Sequence, residues 1–357
     1  MAKIASITVQ RLDLPLVRPY RLSYRTFESF EPYLVEIRDS EGRTAFGDAH
    51  ISPGSSAETR QGGWEFLTEQ SRVAIGRETE DVRRTLIEVS SQSKVAATCL
   101  VTALEMLQDH PSLDIDTPTI LPLLAPVNAT EPDAIAREID QGIEAGFRTF
   151  KVKVGKDVVD DLSRLCITQD AVAGRATLRL DANRAFSRDQ ALRFLEGLDP
   201  RGIQLFEQPC DADDWDANAE VAAASPVPIM LDEPICSLAD IERAGTIPGV
   251  GFCKLKLKRF VSLELLREGL EAVRAHGMEP VLGDGLGSEI HSWLEACIAR
   301  TTIKNAGEFN GFLKPRDRLF TKPLRFEGGA IHLEAGYKPS LDRTTIERLT
   351  ANSITYS

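Results

Sequence analysis

From residue 119 onward, apolar runs of about five to seven residues alternate with stretches in which apolar positions recur every three or four residues, at a period near 25. The runs are Leu121–Val127, Thr149–Val154, Thr177–Asp181, Gly202–Glu207, Pro228–Asp232, Gly251–Leu257, Glu279–Gly283 and a weaker Asn305–Phe309. Pro132–Ala145, Asp189–Leu198 and Leu263–His276 are amphipathic stretches between them. Short buried strands alternating with helices build a parallel sheet. Eight of them fit a closed TIM-type barrel better than an open sheet, and no glycine-rich dinucleotide loop follows the first run. An α/β protein is expected.

The first third has a different rhythm. Ile4–Leu14 alternates like a strand, and Tyr33–Asp39 with Arg43–Ala49 reads as a hairpin turning at Asp39–Gly42. Helical patterns follow near 57–70, 78–90 and 94–109, the last ended by Pro111. Val17–Phe30 and Ala49–Ala57 read as loops. The expected organisation is an α+β domain over 1–118, the barrel over 119–318, and a segment over 319–357 that returns to the first domain.

Composition narrows the function classes. With 54 acidic against 42 basic residues the formal net charge is −12, and no basic face suits a nucleic acid. The six cysteines show no CxxC pair and no metal-ligand spacing, so buried free thiols in a reducing compartment are expected. No window approaches 18 uninterrupted apolar residues and the N-terminus lacks a signal-peptide core, so a cytoplasmic protein without a membrane partner is expected.

Candidate chemistry lies at the ends of the runs, where the βα loops of a barrel surround one mouth. The second run ends Lys151-Val152-Lys153, the third Asp181-Ala182-Asn183, the fourth Glu207-Gln208-Pro209, the fifth Asp232-Glu233-Pro234, and the sixth carries Lys254-Leu255-Lys256. Any one of these acids alone reads as a helix cap or an ion-pair member. Asp181, Glu207 and Asp232 on three successive strands converge instead, and three hard oxygen ligands suit Mg²⁺, or Mn²⁺ in its place. Lys151 and Lys153, two apart on a strand, share one face, as do Lys254 and Lys256. The second and sixth strands of an eight-strand ring lie opposite each other, so a substrate held between them meets an ammonium group on each side.

These residues resemble the enolase superfamily, and within it the muconate lactonizing enzyme (muconate cycloisomerase) subgroup. The steps from Lys153 through Asp181, Glu207 and Asp232 to Lys256 are 28, 26, 25 and 24 residues, close to that family's spacing. The resemblance implies a (β/α)7β TIM-type barrel with an N-terminal α+β capping domain. It implies Lys153 and Lys256 as the two acid/base groups, Lys151 as a cation that tunes Lys153, and Asp181, Glu207 and Asp232 as Mg²⁺ ligands, with Lys254 competing with Lys256 for the sixth-strand role. Asn183 and Glu233 are expected to support the ligands.

Glu308 is placed near the substrate carboxylate by the resemblance, with a plain salt bridge as its alternative. Asp284 either contacts substrate or caps a helix. Tyr20, Tyr24 and His50 are candidate substrate contacts, and Arg21 or Arg25 candidates for a second anionic group. His291, within the helical stretch after the seventh run, disfavours the mandelate racemase subgroup. Glu308-Phe309-Asn310-Gly311 lacks the Asp-x-Asp of dipeptide epimerases.

The implied activity is isomerisation of a small-molecule carboxylate, by racemisation, epimerisation or cycloisomerisation through an enediolate. The alternatives are a lyase removing water from a hydroxy acid, a Schiff-base aldolase barrel, and a barrel kept for binding. A homo-oligomer is expected.

Overall fold

The computed structural model describes residues 2–21, 25–54 and 56–357. Five strands open the chain: β1 (Ile4–Leu12), β2 (Leu14–Arg21), β3 (Thr26–Phe30), β4 (Tyr33–Asp39) and β5 (Thr44–Ala49). Three helices follow, α1 (Arg60–Ala74), α2 (Thr79–Val89) and α3 (Lys94–Leu107). β4 and β5 form the expected hairpin, its turn held by the Asp39 carboxylate, which accepts the Glu41 and Arg43 backbone N–H groups. Alternation buries Ile7 and Val9 of β1 and Val35 and Ile37 of β4, and these share one apolar cluster with Leu100 and Leu104 of α3.

The remaining strands are β6 (Thr119–Pro122), β7 (Ala125–Val127), β8 (Thr149–Lys153), β9 (Thr177–Asp181), β10 (Ile203–Glu207), β11 (Ile229–Leu231), β12 (Val250–Leu255), β13 (Glu279–Leu282), β14 (Arg325–Glu327), β15 (Ala330–Leu333) and β16 (Thr350–Tyr356). β7 to β13 form one parallel sheet in sequence order, with helices between successive strands. The ring closes through residues 305–309. Glu308 N donates to the Leu282 carbonyl at 2.9 Å, and Leu124 N donates to the Gly307 carbonyl at 3.1 Å. The molecule is an α/β barrel with an N-terminal strand-rich cap.

Several expectations are corrected. Val17–Phe30 is no plain loop: β2 and β3 pair as an antiparallel ribbon. Pro15 and Pro19 disguised it, since a residue without an N–H is tolerated only in strands whose outer side is unpaired. The ribbon's Leu14, Leu16, Phe27 and Phe30 join the barrel's own core, which seats the cap on the barrel mouth. Leu121–Val127 is two strands, β6 pairing with β15 and β7 with β8. The eighth run contributes one parallel bridge, Leu123 to Gly307, in place of a full strand. The sixth strand stops at Leu255, and Leu257–Phe260 is a helical turn. Of the six free cysteines Cys166 is exposed and Cys236 partly so, while the other four are buried.

β16 pairs antiparallel with β1, in a sheet of order β16-β1-β4-β5. Among the described residues no helix is long and apolar enough to cross a membrane.

Candidate active site

Parallel register sets the site's level. Lys153 is paired with Asp181 and Asp181 with Glu207, while Asp232 follows the last residue of β11. Residues paired in register on neighbouring strands point to the same face of the sheet. Asp181, Glu207 and Asp232, all essentially buried, line the wall of one cavity of about 370 Å³.

Ammonium groups occupy the space between these acids. Lys151 Nζ lies 2.8 Å from Asp181, 2.6 Å from Glu207 and 2.8 Å from Glu308. Lys254 Nζ lies 3.1 Å from Glu207, 2.5 Å from Glu308 and 3.9 Å from Asp232. Lys153 reaches Asp181 and Asn183, each at 2.5 Å. Lys256 reaches Asp232 at 2.9 Å, and Arg259 holds the other oxygen of the same carboxylate at 2.8 Å. A buried charge cluster of this kind persists only when each member has opposite charge within contact.

The protonation preferences follow from that packing. Against the upward push of burial, Lys151 and Lys153 hold Asp181 well below the carboxylate range, and Lys256 and Arg259 do the same for Asp232. Lys151, although buried, is pushed up by Asp181, Glu207 and Glu308 and stays charged. Lys256 moves the other way: burial and the neighbouring Arg259 lower it, which favours a free amine. The two candidate acid/base lysines differ in exposure, since the Lys153 side chain is 42% accessible and that of Lys256 14%.

The two competing sixth-strand lysines both line the cavity and differ in depth. Lys254 is on β12 and points into the layer of Glu207 and Glu308, while Lys256 follows the strand's end and lies at the mouth beside Asp232. Asp284 lines the cavity, paired directly with Lys258. Its carboxylate also accepts Leu286 N at 3.1 Å. Glu308 lines the cavity and is ion-paired with Lys151 and Lys254. Glu233 lines it too, 3.4 Å from Arg184.

Tyr20, at the end of β2, lines the cavity as expected. His50 does not: it is buried against Phe27 and Phe30 in the cap. Arg25 stacks on Phe27, and Tyr24 lies outside the described residues, as does the Arg21 side chain. His291 is buried in the helix Glu289–Thr302, 3.5 Å from the Asp48 carbonyl, and is not part of the cavity wall.

Sequence reasoning passed over four contributors. Arg179, fully buried and 3.5 Å from Glu308, is two residues before Asp181 on the same strand face, so the alternation that picked out Asp181 also pointed to it. Lys258 and Arg259 were masked by reading the strand too far. Lys314 follows the closing segment 305–309, where no periodic pattern marks it.

The closing segment depends on Gly283. Its φ is +126, and a side chain there would overlap the backbone of Phe309. Gly283→Ala is expected to cost about 1–3 kcal/mol through that overlap, read as a lowered Tm in thermal denaturation.

Residues 134–338 match the model of the family described as enolase C-terminal domain-like. The L-Lys-D/L-Arg epimerase of Methylococcus capsulatus is 27% identical over 327 residues, covering 86% of this chain and 91% of that one. The crystal structure of N-succinyl Arg/Lys racemase from Bacillus cereus superposes with a TM-score of 0.90 at 21% identity, covering 99% of this chain and 100% of the other. That of a dipeptide epimerase from Cytophaga hutchinsonii, complexed with Mg and the dipeptide D-Ala-L-Val, superposes at 0.89 with 21% identity and 99% coverage of both chains.

Proposed function

The chain belongs to the enolase C-terminal domain-like family, in its mandelate racemase/muconate lactonizing enzyme group, and from that premise we propose a Mg²⁺-dependent isomerase that removes the proton next to the carboxylate of a small substrate. Its named relatives are epimerases, racemases and muconate cycloisomerases, and the chain is itself an isomerase of the enolase superfamily.

One observation carries the reading. Lys153, ending β8, and Lys256, following β12, approach a single cavity from positions four apart in a ring of eight, with Asp181, Glu207 and Asp232 between them. A planar carbon held there presents one face to each amine. Lys153 takes the proton from one face and Lys256 delivers one to the other, and the reverse sequence runs from the opposite stereoisomer.

Asp181, Glu207 and Asp232 offer the hard oxygen donors a divalent cation takes, from three adjacent strands; among the described residues no three acids stand gathered as a ready-made metal site, and the ammonium groups of Lys151 and Lys254 lie between them. A cation bound there polarises the substrate carboxylate and stabilises the negative charge that grows on it. Lys151 stays protonated and adds fixed positive charge. Asn183 and Asp181 position the Lys153 amine through their short contacts with Nζ.

Incubation with Mg²⁺ in D₂O against N-acylamino acids, dipeptides, hydroxy acids and lactones tests this. Expected is deuterium at the carbon next to the carboxylate, abolished by EDTA. Mg²⁺ at a hundredfold excess over its Kd is expected to stabilise the fold by about 2.7 kcal/mol, seen as a raised Tm. Exchange undiminished by EDTA, or trapping of the protein by borohydride with a carbonyl substrate, would sink the proposal.

A further inference from the structure

The cations on the cavity wall are almost all spoken for. Lys151, Lys153, Lys254, Lys256, Lys258, Arg184 and Arg259 each lie within 4 Å of a carboxylate. Among the described residues Lys94 and Lys314 alone of the lining cations have no such partner. Lys94 Nζ is bound to the Cys236 carbonyl at 2.9 Å.

Lys314 is the more enclosed case. Its Nζ donates to the Gly285 carbonyl at 2.6 Å and to Asn310 Oδ1 at 2.9 Å, and sits 4.7 Å above the Tyr20 ring centroid. All three partners are neutral. The two nearby acids are already taken, Asp284 by Lys258 and Glu308 by Lys151 and Lys254. Burial accordingly pulls the Lys314 ammonium down to about 7, with Arg18 acting in the same direction and Asp284 and Glu308 against it.

The surroundings are built to hold this cation. The Lys314 carbonyl accepts Val17 N at 2.9 Å, so the β2–β3 ribbon fixes its backbone. Gly285 leaves the floor open: a Cβ there would lie 3.2 Å from the Tyr20 hydroxyl and 3.6 Å from both Asn310 Oδ1 and Lys314 Nζ. A buried charge with neutral partners alone is costly to the free protein, and a ligand that brings the missing counter-charge removes that cost on binding.

We propose that Lys314, with the Tyr20 hydroxyl and Asn310, forms a subsite for a second anionic group of the substrate, so that this enzyme acts on a diacid or an acid bearing a carboxylate-tipped substituent. The inference rests on the reading above, in which the first carboxylate is held beside Asp181, Glu207 and Asp232. A substrate carrying an ammonium group at this end meets like charge and is disfavoured.

The test is calorimetric titration of the Mg²⁺-loaded protein with succinate, glutarate and adipate against butyrate, pentanoate and hexanoate. At least one diacid is expected to bind about tenfold or more tightly than its monoacid, as a charge-assisted hydrogen bond gives. In K314M that preference disappears while monoacid affinity and Tm are retained, and K314R restores part of it. Equal affinity for diacids and monoacids in the wild type overturns the subsite and leaves the carboxylate reading standing. Binding of neither series overturns both. A preference that survives in K314M and is lost in K94M moves the second anion to Lys94 and overturns the assignment to Lys314.

Discussion

Lys153→Met is expected to lower deuterium exchange by about 10²–10⁴-fold from one stereoisomer of the substrate while leaving a measurable rate from the other, and Lys256→Met is expected to reverse that pattern. The magnitude is that of a positioned general base. The asymmetry follows from placement, because each amine approaches the cavity from its own side and reaches only one face of the reacting carbon. Methionine keeps the length of the side chain and removes the proton-transfer group. The measurement is single-turnover exchange from each pure stereoisomer, followed by NMR in D₂O. Loss from both stereoisomers in one variant and from neither in the other would mean that one lysine serves both faces, and the two-base proposal would fall.

Glu308→Leu carries the second large expectation, a loss of about 3–5 kcal/mol of stability, which for a chain of this size means roughly 4–7 °C in Tm. Glu308 is 4% exposed and contacts Lys151 at 2.8 Å, Lys254 at 2.5 Å and Arg179 at 3.5 Å. Removing it leaves buried Arg179 with no acid within 4 Å among the described residues, and leaves Lys151 and Lys254 sharing Glu207, with Asp181 beside Lys151. The same contacts hold its carboxyl well below the usual range against burial. The unfolded chain then binds more protons than the folded one below a pH of about 4.3, so this group's stabilisation is present above that pH and is lost as the solution is acidified. The variant should show a shallower acid limb in a plot of Tm against pH. An unchanged Tm and an unchanged acid limb would show that Glu308 contributes little to the cluster.

The barrel and its charged mouth were legible because two independent periodicities coincide there. Thr177–Asp181 is apolar enough to be a buried strand and ends on an acid, and the strand stops at that residue. Repetition of that arrangement at Glu207 and Asp232 pointed to one mouth, and the three acids line one cavity. The cap was read less well. Leu14 and Leu16 alternate as strand residues do, yet Phe27 and Phe30, three apart, do not, and Pro15, Pro19 and a stretch of Arg, Ser and Tyr hid the ribbon. His50 was singled out for its chemistry, whereas its position is decided by two phenylalanine rings that sequence spacing does not bring together. Lys314 had no local signal at all. Its environment is assembled from Tyr20 in the cap, Gly285 after β13 and Asn310 just past the closing segment, three places joined only by the tertiary fold.

The pairing of β16 with β1 ties together residues as far apart as Thr8 and Thr355, whose hydroxyls lie 2.9 Å apart. During synthesis on the ribosome the barrel helices and strands emerge and can pack while this outer edge of the cap sheet is still missing. The strand that completes the sheet arrives only once Thr350–Tyr356 has been made. A nascent chain stalled short of residue 350 would hold the lysines and carboxylates of the mouth beneath a cap sheet lacking one of its four strands.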